Sequence, residues 1–336
     1  MAELLRVTGL KKHFPVTKGL LKREVARVKA VDGVDFVINE GETFGLVGES
    51  GCGKTTVGKV VLRLLEASEG EILYKGQDIT KLSKKEMRDL RQDLQIVFQD
   101  PYGSLNPRMT VHDIIAEPMK KHNICSGEEL EKRVVELLNR VGLSERELKK
   151  YPHEFSGGQR QRICIARALS LNPKLIVCDE PVSALDVSVQ SQILNLFKEL
   201  QQDFGIAYLF IAHGMPVVKY MSDRVGVMYL GKLVEVAESE ELFENQLHPY
   251  SQALMSAIPV ANPDRERNRI ILEGDVPNPI NLNPGCHFCS RCRYAMERCQ
   301  NDPPELREVK PGHYVACHLF DGKGSERASS GKGDRK

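Results

Sequence analysis

Gly48, Glu49, Ser50, Gly51, Cys52, Gly53, Lys54 and Thr55 match the pattern G-x-x-x-x-G-K-[ST], set between the apolar run ETFGLV and the helix-patterned run TTVGKVVLRLLEA. Glycines let such a backbone curl until its N–H groups point inward, and the positive end of the following helix adds to the field. The pattern therefore reads as a cradle for phosphate oxygens. Lys54 is expected to reach the β- and γ-phosphates of a nucleotide. Thr55 is expected to hold Mg²⁺ through its hydroxyl, with Thr56 beside it in the first helical turn. The bland alternative is a chance glycine-rich turn, which the strand–loop–helix setting disfavours. Further along, KLIVCDEP ends an apolar run on Asp179 and Glu180, two carboxylates where an α/β sheet presents its carboxyl edge. Asp179 suits support of a divalent cation, and Glu180 suits polarisation of an attacking water. Standing alone, the pair could be two solvated acids at a strand end.

Elements to position these groups are legible. ETFGLVGES, KLIVCDEP and AYLFIAHG are short and β-rich, and each ends on a chemically loaded residue, as buried parallel strands do. Helical patterns follow the first two, in TTVGKVVLRLLEA and SVQSQILNLFKELQQDF, giving the rhythm of an α/β sheet. The opening segments LLRVTGL and RVKAVDGVDFVI predict an antiparallel edge sheet interrupted by the basic insertion TKGLLKREVARVK. Residues 100–158 carry helix signals without a good strand, an inserted helical subdomain. RVGVMYLGKLVEVAE reads as a hairpin, and VPNPINLNPG as a connector. The organisation expected is a main domain over 1–258, a cysteine-rich extension over 259–320, and a disordered tail over 321–336.

Composition narrows the function classes. The 336 residues are 41% hydrophobic and 28% charged, ordinary for a globular chain, and no run approaches the roughly 20 apolar residues of a membrane-spanning helix. Lys and Arg (47) nearly cancel Asp and Glu (46), so overall charge offers no footprint for nucleic acid. The start MAELLRVTGLKKHF lacks the apolar core of a signal peptide, which predicts a cytoplasmic protein. Of nine cysteines, Cys286, Cys289, Cys292, Cys299 and Cys317 crowd near the end. In a reducing compartment such crowding points to a metal or iron–sulfur site before disulfides.

The run Phe155-Ser156-Gly157-Gly158-Gln159, followed by RQRICIARAL, resembles the signature motif of ABC ATPases. Its physics is a second anion nest at a helix start. The alternative, a glycine-capped helix start, loses force at this order and spacing. The resemblance implies a P-loop NTPase with a RecA-like core, an antiparallel β subdomain and an inserted helical subdomain. It also implies that two cassettes close head to tail around ATP, so that Ser156, Gly157, Gly158 and Gln159 cap the γ-phosphate held by the other. By the same resemblance Gln99 senses Mg²⁺ and the γ-phosphate. Ser183 to Asp186 touch the partner cassette, His213 bonds the γ-phosphate and attacking water, and Phe14 stacks on adenine, with His13 as substitute. The residue after the switch histidine is usually acidic in the family, whereas here it is Gly214, which implies that the two ATP sites of an assembly differ in rate.

Beyond the cassette, HPYSQALMSAIP, GDVPNPINLNPGCHFCSRCRYAMERC and HYVACH resemble the ATPase subunits of bacterial oligopeptide and dipeptide importers, most closely the F-type subunit. Relatives of these import nickel, glutathione, opines or sugars. The resemblance implies a peripheral protein on the cytoplasmic face of the inner membrane. Its implied partners are a second, different ATPase subunit, two integral membrane permeases and, indirectly, an extracytoplasmic solute-binding protein. A groove with Tyr102 and Leu105 is the expected permease contact, and the extension is expected to stabilise the cassette dimer. In that family, cysteines matching Cys286, Cys292, Cys299 and Cys317 resemble [4Fe–4S] ligands. The spacing Cys286-x₂-Cys289-x₂-Cys292 by itself echoes a ferredoxin-type run and selects a different set, leaving Cys289 as an alternative ligand. Zinc held by cysteines with His287, His313 or His318 is a competing reading, and metal-free thiols another. Two function classes compete with import: a soluble ABC ATPase working on nucleic acid, disfavoured by the lack of coiled coils or basic blocks, and a redox-sensing iron–sulfur module.

Overall fold

The computed structural model describes residues 2–19, 23–258, 270–274, 277–280 and 282–321. The expected tail lies outside them beyond Asp321, as does the start of the expected extension.

Strands β1 (Glu3–Lys18) and β2 (Arg23–Asn39) form a long antiparallel hairpin, and β3 (Thr43–Val47) leads into the phosphate loop. Strands β4 (Glu69–Tyr74) and β5 (Gln77–Asp78) complete a four-stranded antiparallel sheet in the order β2-β1-β4-β5. Residues 17–18 and 23–29 of the basic insertion expected between two short strands belong instead to the ladder, since pairing runs on through Val16–Ala26 to Lys18–Arg23. Valines at 25 and 28 suit extended backbone, while charged neighbours lie along the solvated edge.

The larger sheet adds β6 (Leu94–Val97), β7 (Leu175–Asp179), β8 (Ala207–Ile211), β9 (Arg224–Tyr229), β10 (Lys232–Glu238), β11 (Arg307–Lys310) and β12 (His313–Val315). Its order is β11-β12-β10-β9-β3-β8-β7-β6. The five strands from β9 to β6 are mutually parallel, and the three at the other edge are antiparallel. Strand β6, at the edge, carries no sequence signal strong enough to have been anticipated. Every residue of β3, β7 and β8 is buried. Their side chains alternate between two cores: Ile176, Cys178, Tyr208 and Phe210 enter one, while Leu175, Val177, Leu209 and Ile211 enter the other. A period of two with both faces covered is what makes these strands read as unbroken apolar runs.

Helix Lys54–Val61 follows β3, and helix Val187–Phe204 follows β7, ending where Gly205 turns left-handed at φ 63°. Between β6 and β7 the chain forms helices Pro101–Ser104, Val111–Lys121, Gly127–Arg140 and Gly157–Leu169 without a strand. The cysteine segment does not stand apart from the sheet: β12 pairs with β10, and Ala316 N–H donates to Val234 O at 2.8 Å. Beneath that edge, fully buried Glu235 accepts from Leu247 N–H (2.7 Å), His248 N–H (3.0 Å) and the ring of equally buried His313 (2.8 Å).

Candidate functional site

All parallel strands end on one edge, so the loops after β3, β6, β7, β8 and β9 are neighbours in space. Two glycines of the phosphate loop are required by close approach. At Gly48 (φ 152°) a Cβ would stand 2.1 Å from Met228 O, and at Gly53 (φ 109°) 2.0 Å from Ala30 O. Inside the curl Lys54 is buried, its ammonium donating to the carbonyls of Gly48 (2.8 Å) and Glu49 (3.0 Å) and lying 3.6 Å from Cys52 Sγ. Burial pushes the Cys52 thiol up, against the opposing pull of Lys54. Thr55 Oγ1 donates to Asp179 Oδ1 at 2.7 Å, which joins loop and strand end into one hard oxygen set of the kind Mg²⁺ takes.

Glu180 holds a backbone conformation that only glycine adopts freely, φ 50°, its N–H donating to Ile211 O at 2.9 Å. Strain at this point aims the carboxylate along the edge. One oxygen accepts from Gln99 Nε2 at 2.8 Å, and the other lies 2.5 Å from His213 Nε2. Nε2 presents its proton to the carboxylate, while Nδ1 lies 3.3 Å from Gly48 O and 3.4 Å from Lys54 Nζ. Lys54, Asp179, Glu180, Gln99 and His213 are thus brought into one connected group. Gln99 turns its amide nitrogen to Glu180 here, where its expected role was toward cation and phosphate.

Ser156 lies elsewhere. It caps helix Gly157–Leu169 in a reciprocal box with Gln159, its hydroxyl accepting from Gln159 N–H at 3.3 Å, and it is exposed together with Gly157. A Cβ at Gly158 would meet Val189 Cγ1 at 2.4 Å and one at Gly157 would meet Leu185 Cδ2 at 3.3 Å, so the first turn of helix Val187–Phe204 and Leu185 of the Ser183–Asp186 loop pack against the nest. Asp186 is exposed at the start of helix Val187–Phe204.

Several expectations change. Leu105 is buried and cannot serve a docking surface, because it belongs to the core; Tyr102 remains exposed with the Arg160 guanidinium 5.1 Å from its ring. His13 Nε2 is bonded to Asp32 at 3.0 Å, which fixes the plane of its ring, and the Phe14 ring lies under Lys12 Nζ at 5.1 Å. At Gly214 a Cβ would meet only Val217 at 3.6 Å, so the missing acidic side chain is not a packing requirement.

The chain's matches to known proteins follow this layout. Residues 31–183 match the ABC transporter family, and residues 234–299 match the oligopeptide/dipeptide transporter C-terminal region. The oligopeptide transport ATP-binding protein AppF of Bacillus subtilis (strain 168) is 53% identical over 94% of this chain and 97% of that protein. The chain belongs to the ATP-binding subunits of ABC transporters. OppF of the same organism is 51% identical over 94% of this chain and 96% of its own length. A solved dimer of the ATP-binding cassette MJ0796, in a post-hydrolysis state with ADP and Pi, aligns with a TM-score of 0.63 at 29% identity, covering 70% of this chain and 99% of that one. Among the described residues of this ABC ATPase no helix is long and apolar enough to cross a membrane.

The cysteine segment meets the ATPase site in a way its sequence position hides. Cys286, Cys289, Cys292, Cys299 and Cys317 line one cavity of about 10 Å³, roughly the room of one water. Burial pushes the Cys286 thiol up to about 11 and Cys317 to about 12, each raised further by neighbouring sulfurs. Among the described residues no group of three or more His, Cys, Asp or Glu side chains is arranged to hold a metal ion, so the expected ligand set stands gathered but not closed. The histidines of the zinc reading are committed elsewhere: His287 Nδ1 to Leu230 O (2.9 Å), His313 to Glu235 and Glu241, His318 to Asp321 (2.6 Å) and Asp302 O (2.8 Å). Sequence reasoning missed Tyr229, Tyr250 and Arg291, which border the phosphate loop; no local pattern marks them. With Pro277–Pro279 of the same segment, Tyr229 and Leu230 wall a cavity of about 460 Å³ against Glu49–Cys52.

Proposed function

We propose that this ABC ATPase binds MgATP and hydrolyses it to drive import of oligopeptides through two membrane permeases, docked on the cytoplasmic side of the membrane. The observation that carries the reading is the convergence of Lys54, Thr55 with Asp179, and Glu180 with Gln99 and His213 on one sheet edge, while the Ser156 nest faces solvent. The loop's N–H groups and Lys54 take the β- and γ-phosphates. Thr55 and Asp179 would hold Mg²⁺, which neutralises charge on the transferred phosphate. Glu180, fixed by Gln99 and His213, accepts the proton of the attacking water as that water adds in line to the γ-phosphorus and the bond to the bridging oxygen breaks. His213 Nε2–H, held on Glu180 in this arrangement, turns to the γ-phosphate once nucleotide is bound, and there orients the water and steadies the developing charge.

An outward Ser156 nest supports closure by a second cassette, presented head to tail, and the F-type resemblance supports that cassette being a different subunit. Peptide cargo rests on AppF and OppF and on the C-terminal match. The test is reconstitution with the companion permeases and ATPase, measuring ATP hydrolysis and uptake of labelled oligopeptide. Uptake that nickel or glutathione competes away, with oligopeptides inert, would replace the cargo reading. Hydrolysis without a second cassette would remove the paired site.

The same proposal includes a [4Fe–4S] cluster on Cys286, Cys292, Cys299 and Cys317, with the 1–258 cassette and the 259–320 extension as separate units of sequence. Support comes from the thiols bordering one cavity and from thiolate being the ligand such clusters take; because that cavity has room for about one water, its walls must part to admit a cluster. Brown protein containing iron and sulfide, lost in Cys292→Ser and kept in Cys289→Ser, is the expected result. Colourless protein carrying zinc would refute it.

A further inference from the structure

The turn bearing the cysteines grips the phosphate loop. Residues Cys289–Arg291 form one turn of 3₁₀ helix, anchored by fully buried Phe288, whose ring packs 5.2 Å from Tyr229 and 5.4 Å from Tyr250. From that turn Arg291, with only 9% of its side chain exposed, places Nη1 2.9 Å from Glu49 Oε2 and 3.4 Å from Tyr229 OH. Tyr250 OH accepts from Glu49 N–H at 2.9 Å. Glu49 is therefore held at both ends, backbone by Tyr250 and carboxylate by Arg291, and both holders pack on the same turn. Its carbonyl is in turn one of the two that receive the Lys54 ammonium. A parallel link runs from His287 Nδ1 to Leu230 O, next to Gly231, whose N–H donates to Cys52 O at 2.9 Å.

We propose that Arg291 is a positioning residue for the phosphate loop, and that through it the cysteine turn and bound nucleotide control each other. The argument rests on the nucleotide-binding reading above. A guanidinium this enclosed, paired to a partly exposed carboxylate on the loop that cradles phosphate, fixes the loop in one arrangement; removing either partner leaves the other charge without its counterion and frees the loop. Releasing Glu49 lets the loop relax and misaims Lys54. Coupling between two sites is reciprocal, so nucleotide that orders the loop must also order the turn carrying Cys289.

The test uses the full chain with its companion subunits. MgATP affinity is measured for the wild type, Arg291→Ala, Arg291→Lys, Glu49→Ala and the double alanine variant. Arg291→Ala is expected to weaken binding about tenfold, Arg291→Lys to recover part of it, and the double variant to bind no worse than the weaker single variant, since the two residues act as one unit. Independently, saturating MgATP is expected to slow iodoacetamide alkylation of Cys289 severalfold in the wild type and to have no effect in Arg291→Ala. Affinity unchanged within twofold in a folded Arg291→Ala protein, or alkylation of wild-type Cys289 indifferent to MgATP, overturns the inference. The alkylation arm decides even where a variant does not fold. Wild-type protein that retains no MgATP at all would instead overturn the nucleotide-binding reading, and this inference with it.

Discussion

Replacing Glu180 by glutamine separates chemistry from architecture at this site. The carboxylate is buried at 6% exposure, one oxygen accepting from Gln99 and the other facing His213 Nε2–H. Glutamine keeps the shape and, with its oxygen toward His213, one acceptor, but turns the Gln99 contact into donor against donor. Gln99 is exposed and can turn to water, so the structural cost is about 1 kcal/mol. Loss of a general base removes about 10²–10⁴ in rate, or about 3–5 kcal/mol of barrier. The two effects differ enough to be read apart. In single-turnover phosphate release by the assembled transporter, Glu180→Gln is expected to lose at least about a hundredfold in rate while MgATP affinity stays within roughly threefold. A variant that binds MgATP normally and releases phosphate within roughly fivefold of the wild-type rate would refute Glu180 as the base.

Three further outcomes are expected. In Gly53→Ala the new methyl would collide with Ala30 O at a φ of 109°, so MgATP titration should show binding weakened by more than about tenfold; unchanged affinity would remove the loop from the phosphate site. His313→Ala deprives fully buried Glu235 of its ring partner and leaves two backbone N–H groups, so urea unfolding should report a loss of about 3 kcal/mol, and a loss under about 1 would mean the pair contributes little. Hydrogen bonds from Asn245 and Lys310 and the His313 contact hold the Glu241 carboxyl down at about 2, against some burial. A depressed carboxylate contributes stability above its unfolded value near 4.5 that drains away as pH falls toward 2, so the melting-temperature gap between wild type and Glu241→Gln should be widest above pH 5 and close on acidification. The carboxylate is 32% exposed, and screening limits the effect to about 1 kcal/mol.

The phosphate loop, the signature nest and the two acids after KLIVC were legible from sequence because their chemistry is local. Gly48 and Gly53 need left-handed backbone, Ser156 and Gln159 cap each other within one turn, and β7 announces itself by being apolar on both faces. What brought Glu180, Gln99 and His213 onto one carboxylate was the strand order β3-β8-β7-β6, which places the ends of strands distant in sequence side by side. Periodicity reports which residues are buried and not which strand lies next to which, so that convergence had no signature. The same holds for the cysteine segment. Its spacing spoke of thiolate chemistry, but the grip of Arg291 on Glu49, 242 residues away in sequence, exists only because β12 joins the sheet at β10 and Phe288 packs against Tyr229 and Tyr250. A salt bridge between such remote residues leaves no pattern in the chain; tertiary packing alone decides it.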